Sequence, residues 1–301
     1  MKVAVMMSSY NGEKYIREQI NSIFTQKGQF EIDLWVRDDG SVDQTQNILQ
    51  EYANRGLLNW YTDKNLKPAR SFMDLLQRCG IYDFYAFADQ DDFWMPDKLE
   101  KGIDALQNSE IPALYCANAE LVGSSLESLG RNVYRQIPKI DFFTLCCAGG
   151  LLGCTMIFNR ELARIILEKQ LPEQMVMHDF YVAIVCAAMN GKIVFDETAH
   201  MKYRQHNENV VGVPHGIWKT IYARISDIRY KEPVSIAVQS KEVLERYGDE
   251  LSKDKKAWLE KISTYKNSVF ARMSLSCSLK TKYINKNMSL KIRLSILLGN
   301  R

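Results

Sequence analysis

Across the first 110 residues, short apolar runs alternate with stretches of helical periodicity, and no other feature restricts the accessible folds as strongly. Residues 2–9 (KVAVMMSS) read as a strand, Asn11 and Gly12 as a turn, and Ile16, Ile20, Ile23 and Phe24 as one face of a helix. Residues 32–36 (IDLWV) repeat the pattern and run into Asp38-Asp39-Gly40-Ser41. Ser41 with Gln44 three residues on predicts a capping box for a helix through Ile48, Leu49 and Tyr52. A third strand is expected over 57–62, a third helix around 72–76 and a fourth strand over 83–88 (DFYAFA). Pro96 is expected to open a fourth helix with Leu99, Ile103 and Leu106 on one face. Units of this length predict an α/β fold, a mostly parallel sheet flanked by helices on both faces. Ligands bind such sheets beyond the carboxyl ends of the strands.

The second half is less regular. We expect a strand near 113–119, an apolar patch over 149–158, a helix after Asn159, a helix from His178 to Asn190 stopped by Gly191, and short strands at 192–196 and 201–205. From Gly216 the pattern is helical, broken at Pro233, so a boundary is placed near 215: residues 1–215 form one unit with halves 1–110 and 111–215, and 216–301 a helical C-terminal region. With 301 residues, 46% of them hydrophobic, the chain can bury a large core.

The net charge of +3 conceals an asymmetry, because residues 261–301 hold nine Lys or Arg and no Asp or Glu, leaving 30 basic against 36 acidic residues in 1–260. The acidic body argues against a nucleic-acid partner, which needs a basic face interleaved with aromatics. The basic segment, with Leu290, Ile292, Leu294, Ile296, Leu297 and Leu298 near its end, reads in two ways: a peripheral contact with an anionic membrane, or helices packed on the rest of the chain or in a homodimer. Seven cysteines without CxxC spacing fit a reduced, cytoplasmic protein, and no signal peptide or membrane span is expected.

Three strand ends carry ligand-type groups. Asp89-Gln90-Asp91-Asp92 follows the fourth strand, and such a cluster is costly unless a cation neutralises it. Hard oxygens suit Mg²⁺ or Mn²⁺, and a solvated acidic turn is the plainer reading. Asp38 and Asp39 end the second strand, where a carboxylate can accept from a pyrimidine ring N–H or ribose hydroxyls, although a capped βα turn explains them as well. Ser8, Ser9, Tyr10, Asn11 and Glu13 end the first strand and offer hydroxyls, an aromatic face and an amide. No GxGxxG follows the first strand, which disfavours a dehydrogenase.

The segments 8–16 (SSYNGEKYI), 37–45 (RDDGSVDQT) and 89–92 (DQDD), with Trp94 and Pro96-Asp97-Lys98-Leu99, resemble the successive motifs of family 2 glycosyltransferases over about the first 210 residues. The resemblance implies a GT-A fold, a nucleotide-binding half at 1–110 and an acceptor half at 111–215. It implies that Asp39, with Asp38 beside it, holds the nucleotide, and that Asp89 and Asp91 bind the ion on the donor diphosphate, with Asp92 able to share the task. Ser9, Tyr10, Asn11, Glu13 and Gln90 are grouped with the nucleotide-sugar contacts. The family's general base is an Asp at a helix start, and His178-Asp179-Phe180-Tyr181 fits that pattern with His178 in place of the more frequent Glu, which assigns the base to Asp179. Residues 203–212 (YRQHNENVVG) look like a segment of bacterial rhamnosyltransferases; Arg204 is expected to reach the diphosphate and His206 to supply a third metal ligand or a leaving-group contact. In a loop after the third strand, Lys67 replaces a frequent Gly, and Lys67 or Arg70 is a candidate phosphate contact, with solvent exposure as the plainer reading of either.

The implied reaction is an inverting transfer from a nucleotide-diphosphate sugar, dTDP-rhamnose being favoured, to a glycan or lipid-linked glycan in cell-surface polysaccharide synthesis. A sugar nucleotidyltransferase and a non-catalytic nucleotide-binding protein stand as alternatives. The first would open with a Gly-rich, Arg-containing loop that this chain lacks, and the second would lack the carboxylates.

Overall fold

The computed structural model describes residues 1–205, 234–281, 283 and 286–301. The expected units appear in order: β1 (Lys2–Ser9), α1 (Ile16–Phe24), β2 (Glu31–Asp38), α2 (Thr45–Asn54), β3 (Leu58–Thr62), α3 (Lys67–Arg78), β4 (Phe84–Asp89), β5 (Phe93–Trp94) and α4 (Lys98–Leu106). Then come β6 (Ala113–Val122), β7 (Ser128–Asn132), α5 (Phe142–Ala148), a 3₁₀ turn (Gly153–Thr155), β8 (Ile157–Asn159), α6 (Arg160–Leu167), α7 (His178–Ala188) and β9 (Lys192–Arg204). Among the described residues four α-helices follow: α8 (Ile236–Tyr247), α9 (Lys253–Ser263), α10 (Val269–Ser276) and α11 (Lys286–Leu298).

These strands form one sheet in the order β3-β2-β1-β4-β8-β6-β9-β5, with β7 paired to β6. It is parallel from β3 to β4 and mixed beyond, since β8 runs antiparallel to both β4 and β6, while β6 and β9 are parallel. Side chains alternate across β1: Ala4 and Met6 enter one core, Val3, Val5 and Met7 the other. The second core is closed by α1, α2 and α4 through Ile20, Leu49 and Ile103. The first takes α3, α5, α6 and α7, and also Ile236, Tyr247, Trp258 and Ile296 of the C-terminal helices.

Three local expectations change. The capping box does not form, because the Ser41 hydroxyl donates to Asp38 and α2 starts only at Thr45, whose N–H and hydroxyl both go to Asp43 Oδ1. The strands expected at 192–196 and 201–205 are one strand, β9, with register shifts against β6 at Asn118. Pro96 sits in the turn before α4, which begins at Lys98. The expected boundary near 215, the helical onset at Gly216, the break at Pro233 and His206 lie outside the described residues.

Candidate active site

The strand ends that the sequence singled out meet along one edge. In the parallel pairing Ser9 lies opposite Asp38 and Ser8 opposite Asp89, so the three polar segments begin at one level. Side chain to backbone hydrogen bonds then lace them together. Asn11 N–H donates to Ser41 Oγ (2.9 Å), Val42 N–H to Asn11 Oδ1 (2.9 Å), Gly12 N–H to Thr45 Oγ1 (2.8 Å) and Gln44 N–H to a Glu13 carboxylate oxygen (2.8 Å). Gln90 ties the third segment in, accepting from Tyr10 N–H and donating to Tyr10 O. A Cβ at Gly12 would lie 2.2 Å from Gln90 Oε1, so this close approach needs glycine.

Asp38 is fully buried and its carboxylate is consumed by the loop: it accepts from the hydroxyls of Ser9, Ser41 and Thr62, the N–H groups of Gly40 and Ser41, and Gln46 Nε2. Asp38 therefore shapes the turn instead of meeting a ligand, and the buried Ser9 hydroxyl serves it. Asp39 Oδ1 pairs with Arg37 and accepts from Ser71 Oγ (3.0 Å). Arg37, wholly buried in β2, also bonds Asp74 (3.0 Å), a network that sequence reading missed because its members lie on separate elements. Tyr10 and Asn11 are exposed at the rim, and Arg70 is exposed on α3.

At the end of β4, Asp89 and Asp91 are half-buried and Asp92 fully buried, with Asp92 Oδ2 accepting no hydrogen bond from among the described residues. Burial, followed by the negative charges of Asp91 and Asp179, pushes the Asp89 carboxyl up to about 7. Burial and the same cluster hold Asp92 well above the carboxylate range. Ligand atoms of Asp89, Asp92 and Cys154 lie within 4.8 Å of one another. Lys98, also buried, places its ammonium 3.3 Å from the centroid of the Trp94 ring, and burial pulls its pKa down to about 7 against the opposing charges of Cys154, Asp92 and Asp89. Neither Cys154 nor Lys98 carried a role in the sequence reading.

Asp179, in the first turn of α7, comes close enough for its charge to act on Asp89. Gly153 N–H (3.0 Å) and Phe180 N–H (2.6 Å) donate to its two oxygens, while burial pushes its carboxyl up to about 6 against those donors. His178 faces inward between Phe72 and Phe87, with ring centroids at 4.0 and 4.6 Å, and burial keeps it neutral by pulling its pKa down to about 3.

Arg204 is placed otherwise than expected. It is 1% exposed; its Nε donates to the Asp91 carbonyl (2.7 Å), its other nitrogens go to the Ser124 carbonyl and the Glu18 carboxylate, and its plane lies over Tyr15. Its backbone N–H donates to Asp92 Oδ1 (3.2 Å). A guanidinium spent on these partners braces the 89–92 turn from behind and does not face a diphosphate.

Among the described residues, no helix is long and apolar enough to cross a membrane. Lys67 adopts a left-handed φ of +66°, so the loop keeps the backbone form that glycine would favour there.

Comparison with known proteins gives the same picture. The model of glycosyl transferase family 2 matches residues 4–164, more than half of the chain. The dTDP-rhamnosyl transferase RfbG of Shigella flexneri is 28% identical over 240 residues, spanning 75% of this chain and 80% of its own. WfgD of Escherichia coli, a UDP-Glc:alpha-D-GlcNAc-diphosphoundecaprenol beta-1,3-glucosyltransferase, is 29% identical over 160 residues, 53% of this chain and 61% of its own. Among solved structures, S. aureus TarS 1-349 in complex with UDP-GlcNAc superposes with a TM-score of 0.54 at 18% identity, over 92% of this chain and 81% of that one. The mannosyltransferase PcManGT of Pyrobaculum calidifontis, in complex with GDP-Man and Mn2+, gives 0.52 at 14% identity, over 99% and 74%. The mixed sheet between helical layers is a GT-A fold, and the chain belongs to glycosyl transferase family 2.

Proposed function

We propose that this protein is an inverting, divalent-metal-dependent glycosyltransferase that moves rhamnose from dTDP-rhamnose to a glycan acceptor during cell-surface polysaccharide synthesis. The observation that carries this reading is the convergence of Asp179, from α7, on Asp89 at the end of β4: a carboxylate fit for a base lies beside a carboxylate cluster fit for a donor diphosphate. The rhamnosyl donor rests on likeness to RfbG, and a lipid-linked sugar acceptor on likeness to WfgD.

In this mechanism, Asp179 accepts the proton of the acceptor hydroxyl as that oxygen attacks the anomeric carbon. The N–H groups of Gly153 and Phe180 aim its oxygens and hold it ionised. Asp39, fixed by Arg37 and Ser71, takes the nucleoside, with Tyr10, Asn11, Glu13 and Gln90 at the rim and Arg70 at the phosphate side. The residues at the end of β4 fit a divalent ion, because oxygen ligands of Asp89 and Asp92 lie within 4.8 Å of each other, and burial, with the charge of Asp91 second, raises both carboxyls. Asp89 and Asp91 would hold Mn²⁺ or Mg²⁺, and the ion would supply positive charge for the departing diphosphate. A thermal-shift screen of dTDP-rhamnose, UDP-glucose and GDP-mannose with and without Mn²⁺ tests donor and metal together. Stabilisation by dTDP-rhamnose with Mn²⁺, lost in Asp91→Ala or EDTA, is expected; equal midpoints throughout refute it.

The acceptor reading extends to a lipid-linked glycan reached by peripheral membrane contact. Val269, Phe270 and Met273 on α10 and Leu290, Leu294, Leu297 and Leu298 on α11 are exposed, while Ile292 and Ile296 enter the core. An apolar, acid-free and basic surface suits an anionic leaflet, each nearby cation adding about 1 kcal/mol. Arg272, Lys280, Arg293 and Arg301 also make internal contacts, which lowers that sum. Salt-sensitive flotation with anionic but not neutral vesicles is expected; a soluble protein with both would make the segment structural, packed on the rest of the chain, and a dimer by sedimentation would assign the face to packing between copies.

A further inference from the structure

We infer that Tyr283, from the C-terminal helical region, and Tyr134 together form the acceptor-binding wall of the site, so that the helices beyond residue 234 complete the catalytic centre. This rests on Asp179 being the base, since the acceptor hydroxyl must lie against it.

The connection runs through the short chain between α5 and the 3₁₀ turn. Gly149 (φ +60°) and Gly150 (φ +101°) leave α5 in left-handed conformations, and three residues later Gly153 N–H reaches Asp179. A Cβ at Gly150 would lie 2.9 Å from the Tyr283 hydroxyl, so that phenol rests directly on the glycine backbone leading to the base. A side chain at 150 would be strained by its φ and would also displace the phenol.

Both tyrosines are held from behind. Tyr283 N–H donates to Ser289 Oγ (2.8 Å), and the same hydroxyl donates to Tyr283 O (2.8 Å), fastening the residue to α11. The Asn118 side chain does the equivalent for Tyr134, accepting its N–H (3.0 Å) and donating to its O (2.9 Å), while Phe195 meets the Tyr134 ring edge-on at 5.1 Å. Burial raises the Tyr134 phenol, and the Asp179 carboxylate is among the groups whose charge adds to that rise. Tyr283 is raised by burial as well, so both phenols stay protonated at neutral pH.

The helical region is braced for this placement. Arg301 donates to the carbonyls of Cys147 and Ala148 at the end of α5, Trp258 Nε1 donates to Phe143 O, and Lys255 caps α7 through the carbonyls of Ala187 and Ala188. The two helices that bring the glycine pair and Asp179 are thus both tied to it. Two neutral phenols beside a carboxylate base suit a sugar: each ring offers a face to C–H groups, and each hydroxyl can donate to or accept from a ring hydroxyl. They bind and orient the acceptor, and no proton passes through them.

The test uses the full chain, dTDP-rhamnose with Mn²⁺, and a panel of p-nitrophenyl glycosides as acceptors, followed by both turnover and saturation-transfer NMR. Tyr283→Phe and Tyr134→Phe are each expected to weaken glycoside binding about tenfold, the loss of one hydrogen bond, with the larger part of the effect in KM rather than kcat. Donor affinity by calorimetry should stay within about twofold, since the tyrosines face the acceptor. Unchanged glycoside KM and NMR signal in Tyr283→Ala, with an unchanged melting temperature, overturn the inference. Loss of donor binding in the wild type would instead refute the functional reading beneath it.

Discussion

Gln90 holds Tyr10 by both ends of its amide: Oε1 accepts the Tyr10 N–H at 2.9 Å and Nε2 donates to the Tyr10 carbonyl at 3.0 Å, across 80 residues of sequence. The bond pair joins the loop after β1 to the acidic turn after β4. Gln90→Ala is expected to weaken donor affinity about tenfold by freeing the Tyr10 loop. Gln90→Glu, which can still accept but cannot donate, should fall between wild type and Ala. Calorimetry with the donor nucleotide decides this, and equal affinities for all three would remove the clamp's role.

Asp179→Asn should retain donor binding and lose transfer by roughly 10²-fold or more, as removal of a positioned base implies. The wild-type rate should follow ionisation of a carboxyl raised to about 6: the base is protonated and idle below that pH, and the rate rises as pH increases through it. The residual activity of the Asn variant should lack this acid limb. A pH–rate profile for both proteins checks the pair of statements, and an unchanged limb would place it on another group.

Arg204→Met should destabilise the fold by about 2–4 kcal/mol, because the carbonyls of Asp91 and Ser124 and the Glu18 carboxylate all lose their buried donor. Urea unfolding measures this. A variant of wild-type stability with only a raised donor KM would return Arg204 to the diphosphate.

Lys67 holds a left-handed backbone at φ +66°, which a β-branched residue tolerates poorly. Lys67→Val should cost about 1–2 kcal/mol, whereas Lys67→Gly should stay within about 0.5 kcal/mol, its easier backbone offset by a freer unfolded chain. Equal stability of the Val and Gly variants by urea unfolding would contradict this backbone assignment.

The alternation of apolar runs and helical spacing was enough to place α1 to α4 and the first four strands, because each such element is specified by the periodicity of its own residues. The motif segments at 8–13, 37–45 and 89–92 were legible for the same reason: each is contiguous, and parallel strands must present their ends on one side. Individual side chains were another matter. Asp38 and Arg204 have the chemistry of ligand contacts, yet one is saturated by its own loop together with Ser9 and Thr62, and the other by Asp91, Ser124 and Glu18, the last 186 positions away. Whether a charged group faces a ligand depends on which distant partners reach it first, and sequence does not display that. The single bulged β9, the convergence of Cys154 and Lys98 on the acidic turn, and the seat of Tyr283 on Gly150 likewise arise from contacts between elements far apart in the chain. Local spacing sets the elements and their exposed ends; tertiary packing alone decided which polar groups at those ends are satisfied internally and which remain available to a ligand.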